Sequence, residues 1–159
     1  MSPVTEADIS AAKRTALRCL ERRAFAREDL ARRLRLKGHL PEAVEGALAK
    51  VAELGLLNDA VFAIDFVHSR AARGRGPTRL RRDLQVMGVG PGHIEQALAA
   101  EWPEGTDGRE TIQALARRRA GQLGGDLPRQ TRRRRVLAYL ARRGFNGSVA
   151  REVVRTLIA

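Results

Sequence analysis

Apolar residues recur at three- and four-residue spacing in segment after segment of this chain, and runs that alternate apolar with polar, as a half-buried strand would, are few. Valine and isoleucine are sparse, while Ala, Leu, Arg and Glu fill the periodic stretches, so the pattern predicts an all-α fold. The prolines and most glycines sit between these stretches, from Pro41 and Gly55 through Gly74, Gly76 and Pro77 to Pro128, Gly144 and Gly147, and punctuate about nine short helices.

Three segments superimpose: "REDLARRLRLKG" (27–38), "PTRLRRDLQVMG" (77–88) and "RRRVLAYLARRG" (133–144). Leu30, Leu80 and Val136 share one position, Leu34, Leu84 and Leu140 follow four residues on, and Gly38, Gly88 and Gly144 four beyond those. A turn-spaced apolar ridge thus ends each time in a glycine, which suits a left-handed C-terminal cap because no Cβ clashes at positive φ. Past each glycine the match continues at Val44, Ile94 and Ala150, then at Leu48, Leu98 and Val154. Upstream lie longer helical stretches at about 6–23, 58–73 and 107–123. The unit is three helices used three times, over 1–57, 58–103 and 104–159, and the glycine spacings of 50 and 56 residues suit a helical repeat. Units this small bury little alone, so an elongated or curved array is expected. "EWPEGTDG" (101–108) reads as a joint and "LGGDLPRQ" (123–130) as the longest loop within a unit, both flexible.

Charge then narrows the function. The 159 residues hold 30 Lys and Arg, 27 of them Arg, against 18 acidic residues, a net +12. The excess is uneven: +3 over 1–57, +1 over 58–103 and +8 over 104–159. Arginine's planar fork grips phosphate or carboxylate in two-point fashion, so a polyanion or an acidic protein surface is the expected partner. The single cysteine, Cys19, rules out a disulfide within one chain and a cysteine-based zinc site. The start "MSPVTEADIS" lacks signal-peptide character and no apolar run nears the ~18 residues a membrane helix needs, so a cytoplasmic protein is expected.

Candidate chemistry is thin. Gly74 and Gly76 in "RGRGPTRLRRDLQVMG" (73–88) lack the Gly-Lys-Ser/Thr ending of a phosphate loop and follow a predicted helix rather than a strand. The plainer reading is that Gly74 ends a helix, Gly76 is an N-cap and Pro77 fills the first turn. Arg73, Arg75, Arg79, Arg81 and Arg82 nevertheless surround that turn. Arg75 and Arg79 stand where the helix dipole disfavours cations, without evident local benefit. The second helices of each unit carry Glu42, Glu45, Glu53, Glu95 and Glu101, which argues against insertion into a DNA groove. Arg132–Arg135 with Arg142 and Arg143 form the densest basic cluster, equally readable as a solvated face or as a polyanion-facing one. His39, His68 and His93 are far apart with no second ligand at metal spacing. No nucleophile elbow, catalytic carboxylate pair or nucleotide fingerprint appears, so no catalytic residue, metal or cofactor is expected. Trp102 and Tyr139 read as packing residues rather than base-stacking platforms.

The stretch "GLLNDAVFAIDFVHSRAARGRGPTRLRRDLQVMGV" (55–89) strongly resembles the signature of the RecX regulatory proteins: Gly-Leu-Leu-Asp-Asp, a Phe-containing helix, Arg, Gly, and a Leu-rich helix ending in Lys-Gly. "EDLARRLRLKG" (28–38) fits the first repeat of that family and "LARRGF" (140–145) resembles the third. Asn58 replaces the usual aspartate, and Met87 the lysine that commonly precedes the glycine. The resemblance implies a modulator of the RecA recombinase, typically an inhibitor, built of tandem three-helix repeats and lying in the groove of the RecA–DNA filament. On that reading the chain is expected to act as a monomer that inhibits filament growth, ATP turnover and strand exchange and contacts single- or double-stranded DNA without sequence preference. The candidate contact residues are Arg70, Arg73, Arg75, Arg79 and Arg82 in the middle unit, and Arg132, Arg133, Arg134, Arg135, Arg142 and Arg143 in the last. The competing reading is a non-specific DNA-coating protein that affects a recombinase by competition.

Overall fold

The structure, a computed structural model, describes residues 2–159. Among the described residues there are nine helices and no strand: α1 (Glu6–Arg22), α2 (Arg27–Leu36), α3 (Pro41–Glu53), α4 (Asp59–Ala71), α5 (Pro77–Val86), α6 (Pro91–Glu101), α7 (Arg109–Gln122), α8 (Arg129–Arg142) and α9 (Ser148–Leu157). The all-α helical repeat read from the apolar spacing is therefore present.

Every apolar position that repeats in the sequence is buried. Leu30, Leu80 and Val136, Leu34, Leu84 and Leu140, Val44, Ile94 and Ala150, and Leu48, Leu98 and Val154 are all at most 5% exposed. Full burial of one such Leu or Val side chain contributes roughly 1.5–3 kcal/mol, so this periodic set is what ties helix formation to packing.

The glycine caps repeat as well. Gly38, Gly88 and Gly144 have φ of +93°, +79° and +95°. Their N–H groups donate to the carbonyls of Arg35, Gln85 and Ala141, each at 3.0 Å. The next residues, His39, Val89 and Phe145, donate to Leu34, Leu84 and Leu140 at 3.2, 3.1 and 2.9 Å. These paired bonds satisfy carbonyls that a helix end leaves open and fix the exit of the chain toward the following helix. Val89 and Phe145 are buried, whereas His39 meets the Thr15 hydroxyl at 2.9 Å.

One boundary differs from the repeat pattern. The segment 123–130 was expected as loop, with the helix aligned from residue 133, but α8 begins at Arg129 and is four residues longer than α2 or α5. Pro128 sits at the N-cap position, and its fixed φ, here −52°, leads directly into a helical turn. The extra turn carries Arg129 and brings Arg132 onto the helix.

The chain divides into two compact units. Unit 1 is Met1–Asp65 with Leu84–Ile94, and unit 2 is Phe66–Asp83 with Glu95–Ala159. In unit 1, Ala16, Cys19, Leu30, Leu34, Leu48 and Val51 form the main core. Ala12, Ala43 and Ala47 form a second cluster in which small side chains let α1 approach α3, and Ile9 packs where a Cβ on Gly46 would lie only 3.0 Å away. The start of α1 is held by a capping box in which Asp8 N–H donates to the Thr5 hydroxyl at 3.2 Å and Thr5 N–H donates to the Asp8 carboxylate at 2.8 Å. Those bonds hold the Asp8 carboxyl below its ordinary pKa. The first turn of α2 uses a carboxylate from elsewhere in the unit, with Arg27 N–H donating to Asp59 at 2.8 Å.

In unit 2, Ile112, Ala116, Val136, Leu140, Phe145, Val153 and Ile158 form one core from α7, α8 and α9. The charge of the chain is concentrated here. Unit 2 holds 19 arginines against 8 acidic residues, and unit 1 holds 11 basic against 10 acidic, so unit 2 carries +11 of the total +12.

Candidate polyanion-binding surface

The turn at residues 73–77 is positioned by glycine. Gly74, at φ +80°, closes α4, with Arg75 N–H donating to the Arg70 carbonyl at 3.1 Å. Gly76 opens α5 by accepting from Leu80 N–H at 3.1 Å, as an N-cap does. Gly76 also touches the cap of α8. Its N–H donates to the Arg143 carbonyl at 2.6 Å, and Thr78 N–H donates to the Gly144 carbonyl at 3.3 Å. A Cβ on Gly76 would stand 2.5 Å from the Gly144 oxygen, and one on Gly144 would stand 2.6 Å from Arg79 N. Backbone meets backbone at a distance that only glycine on both sides allows.

This contact gathers arginines from two repeats within unit 2. Arg75, Arg79, Arg142 and Arg143 line a cleft of about 360 Å³ with Tyr139 at its side. Arg143 donates to the Arg73 carbonyl at 3.2 Å and Arg79 to the Arg142 carbonyl at 3.4 Å, so both guanidinium groups are oriented by backbone. The guanidinium carbons of Arg143 and Arg119 lie 5.4 and 5.7 Å from the Tyr139 ring centroid. The sequence reading found no local benefit for cations at the start of α5, but Asp83 supplies it, pairing with Arg79 at 3.3 Å and Arg75 at 3.4 Å. One carboxylate shared by two guanidinium groups leaves the cleft strongly positive.

The run Arg132–Arg135 does not act as one patch, because successive residues of a helix point about 100° apart. Arg133 turns to the end of α9 and donates to the carbonyls of Ile158 at 2.8 Å and Arg155 at 3.3 Å, a C-terminal capping role. Arg134 and Arg135 are exposed, and Arg135 lies one turn before Tyr139 on the face that continues to Arg142 and Arg143. The Nε atoms of Arg132 and Arg119 are buried without a hydrogen-bond partner among the described residues. Of the other sequence candidates, Arg73 and Arg82 are exposed, and Arg70 stacks on Phe66 at 3.9 Å. None of these three lines the cleft.

Two neighbouring arginines are committed to internal pairs. Glu95 grips Arg81 at 2.8 and 3.3 Å, which raises the guanidinium and lowers the carboxyl relative to their ordinary pKa values. Glu152 grips Arg109 at 3.1 and 3.3 Å with the same pair of effects. The sequence reading noted Arg117–Arg119 in the helix before the basic cluster and took Tyr139 as a packing residue, but did not single out Asp83. The spacing Arg135, Tyr139, Arg143 was visible in the sequence and would have placed the ring between two arginines.

Among the described residues no group of three or more His, Cys, Asp or Glu is placed to hold a metal, and no helix is long and apolar enough to cross a membrane. The fold is of the tandem three-helix class, with a guanidinium-lined cleft in unit 2. Comparison with known proteins is specific. Residues 58–98 match the profile "RecX, second three-helix domain" and residues 107–154 match "RecX, third three-helix domain". The Regulatory protein RecX of Ectopseudomonas mendocina (strain ymp) is 40% identical over 86% of this chain and 87% of its own. That of Stenotrophomonas maltophilia (strain K279a) is 40% identical over 88% and 83%. The crystal structure of RecX from Lactobacillus salivarius superimposes with a TM-score of 0.80 at 21% identity, covering 96% of this chain and 98% of that one. A further crystal structure of regulatory protein RecX gives a TM-score of 0.80 at 23% identity over 98% and 79%. The chain belongs to the RecX family.

Proposed function

We propose that this protein is a negative regulator of the RecA recombinase, bound as a monomer in the groove of the RecA–DNA filament in the cytoplasm. The observation that carries the reading is the concentration of +11 in unit 2, with four arginines converging on one cleft. A nucleoprotein filament offers phosphates and acidic side chains at short, repeated intervals, and a protein built of three-helix repeats over 1–57, 58–103 and 104–159 has the periodicity to meet neighbouring subunits. The action is steric and electrostatic. Bound across adjacent subunits, the chain restrains the filament state that ATP turnover and strand exchange require, and blocks further growth. DNA contact through the same arginines is sequence-independent, because guanidinium groups addressing phosphate read no base.

The clean test neutralises arginines without a structural partner. In Arg134→Gln/Arg135→Gln/Arg142→Gln, inhibition of recombinase ATP turnover at about 0.15 M salt should fall by about tenfold or more, with the helical signal unchanged. Loss of three phosphate contacts should also flatten the log–log salt dependence by about 2–3. Inhibition equal to that of the parent chain would remove this surface from the function.

A further inference from the structure

A cleft of unit 1, about 650 Å³, is lined by residues within 15–39, away in sequence from the arginines of unit 2. Arg18 and Arg22, one turn apart on α1, and Arg33 and Lys37, one turn apart at the end of α2, all line it. None of the four side chains has a hydrogen-bond or ion-pair partner among the described residues. Lys13 and Arg14 share that lack of a partner but do not line the cleft, and the other basic residues of the unit are engaged. Arg27 pairs with Glu45 at 3.1 Å, Arg35 with Glu28 at 2.8 Å, and Lys50 with Glu6. With 11 basic and 10 acidic residues, unit 1 is nearly neutral, so an overall arginine excess does not account for four unmatched cations on one cleft. Like charges at i,i+4 spacing oppose helix formation. The helix dipole favours Arg22 and Arg33 in the last turns, but it does not account for Arg18 or for the convergence of both pairs.

A fifth side chain gives the cleft a flat surface. The Arg23 guanidinium carbon lies 3.6 Å from the Phe25 ring centroid, and its nitrogens donate to the Ala24 carbonyl at 3.1 Å and to Asp29 at 3.4 Å. Arg23 thus lines the cleft with its guanidinium set over the buried Phe25 ring and its nitrogens held by these acceptors. Guanidinium planes are stacking surfaces for nucleobases, and unpaired arginine forks are phosphate ligands.

We propose that this cleft binds nucleotide phosphates, with Arg18, Arg22, Arg33 and Lys37 as phosphate ligands and a base stacked on Arg23. The ligand is a short single-stranded segment or a free nucleotide, which share this chemistry. The site shares no residue with the unit 2 surface, so either reading stands or falls without the other.

Amide NMR of the full chain tests it, with three magnesium-free probes: 5′-phosphorylated trithymidylate, ATP and inorganic tripolyphosphate. Saturable shifts are expected at Thr15, Arg18, Arg22, Arg33, Lys37 and His39, distinct from any shifts in unit 2. Tighter binding of trithymidylate than of ATP assigns the site to a strand, and the reverse to a free nucleotide. Arg18→Gln/Arg22→Gln/Arg33→Gln/Lys37→Gln should weaken binding by about tenfold or more at these residues while unit 2 shifts persist. Because four changes on α1 and α2 risk the fold, Arg23→Lys gives a second arm: it keeps the charge, removes the stacking plane and should weaken trithymidylate and ATP but not tripolyphosphate. Absence of shifts between residues 15 and 39 up to about 5 mM probe overturns the site. Equal affinity for tripolyphosphate and both nucleotides overturns the base contact.

Discussion

Replacing Gly144 by Ala tests whether the α5–α8 contact organises the arginine cleft, because the equivalent glycines of the other repeats supply internal controls. Gly38, Gly88 and Gly144 occupy one position of the repeat and share positive φ, so alanine brings each the same backbone strain of about 1–2 kcal/mol. Their surroundings differ. A Cβ on Gly38 meets nothing within 4 Å, one on Gly88 meets Glu28 Cβ at 2.6 Å, and one on Gly144 meets Arg79 N at 2.6 Å and the Gly76 oxygen at 2.7 Å. Backbone atoms cannot rotate aside, so Gly144→Ala must separate the two segments and weaken the bonds from Gly76 and Thr78 N–H. Overpacking of this kind costs about 1–3 kcal/mol beyond the strain. The expected order of destabilisation is Gly38→Ala, then Gly88→Ala, then Gly144→Ala, with about 1–3 kcal/mol between the extremes. Urea unfolding followed by helical circular dichroism measures all three, and the fluorescence of Trp102, the single tryptophan and a residue of unit 2, follows Gly144→Ala in its own unit. Equal losses for Gly38→Ala and Gly144→Ala would refute the reasoning that a close backbone approach, and not conformational strain alone, fixes glycine at residue 144.

Arg133→Ala should lower stability by about 1–2 kcal/mol through loss of a charged donor to the α9 carbonyls, and raise amide exchange in α9, while polyanion affinity falls less than in Arg134→Ala. The reverse ranking of affinities would show that Arg133 faces the partner instead. Glu95 and Glu152 titrate below their ordinary values in the folded chain because Arg81 and Arg109 hold the carboxylates. Their pairs therefore stabilise the fold above the usual glutamate range, and that contribution disappears as pH falls through the lowered values. Carboxyl NMR should place both midpoints below about 4.3, and Arg81→Gln should return Glu95 alone toward that value. A Glu95 midpoint unmoved by Arg81→Gln would contradict the assignment.

Periodicity made the buried face of each helix legible. Leu34, Leu84 and Leu140 could be matched because burial demands apolar residues one turn apart, and Gly38, Gly88 and Gly144 because the left-handed cap penalises a Cβ. The start of α8 was misplaced for the opposite reason: α2 and α5 begin four residues later in the repeat, and Arg129–Arg132 are polar residues that helix and loop accept alike. Which loops meet was not legible at all. Gly76 read correctly as an N-cap, but nothing local to it announces Gly144, 68 residues away. Composition counted the arginines without sorting them, since Arg133, Arg81 and Arg109 differ from Arg134 and Arg142 only in the neighbours that folding supplies.

The proposed regulation of recombinase requires a preference for filament over the DNA inside it. Binding of the full chain to RecA filament, DNA-free RecA and bare DNA, measured at one salt concentration of about 0.15 M, tests that preference most directly. Binding should be tightest to filament, with the Arg134→Gln/Arg135→Gln/Arg142→Gln variant losing most of that affinity. Equal affinity of the parent chain for filament and bare DNA would contradict it and leave a DNA-coating protein in its place.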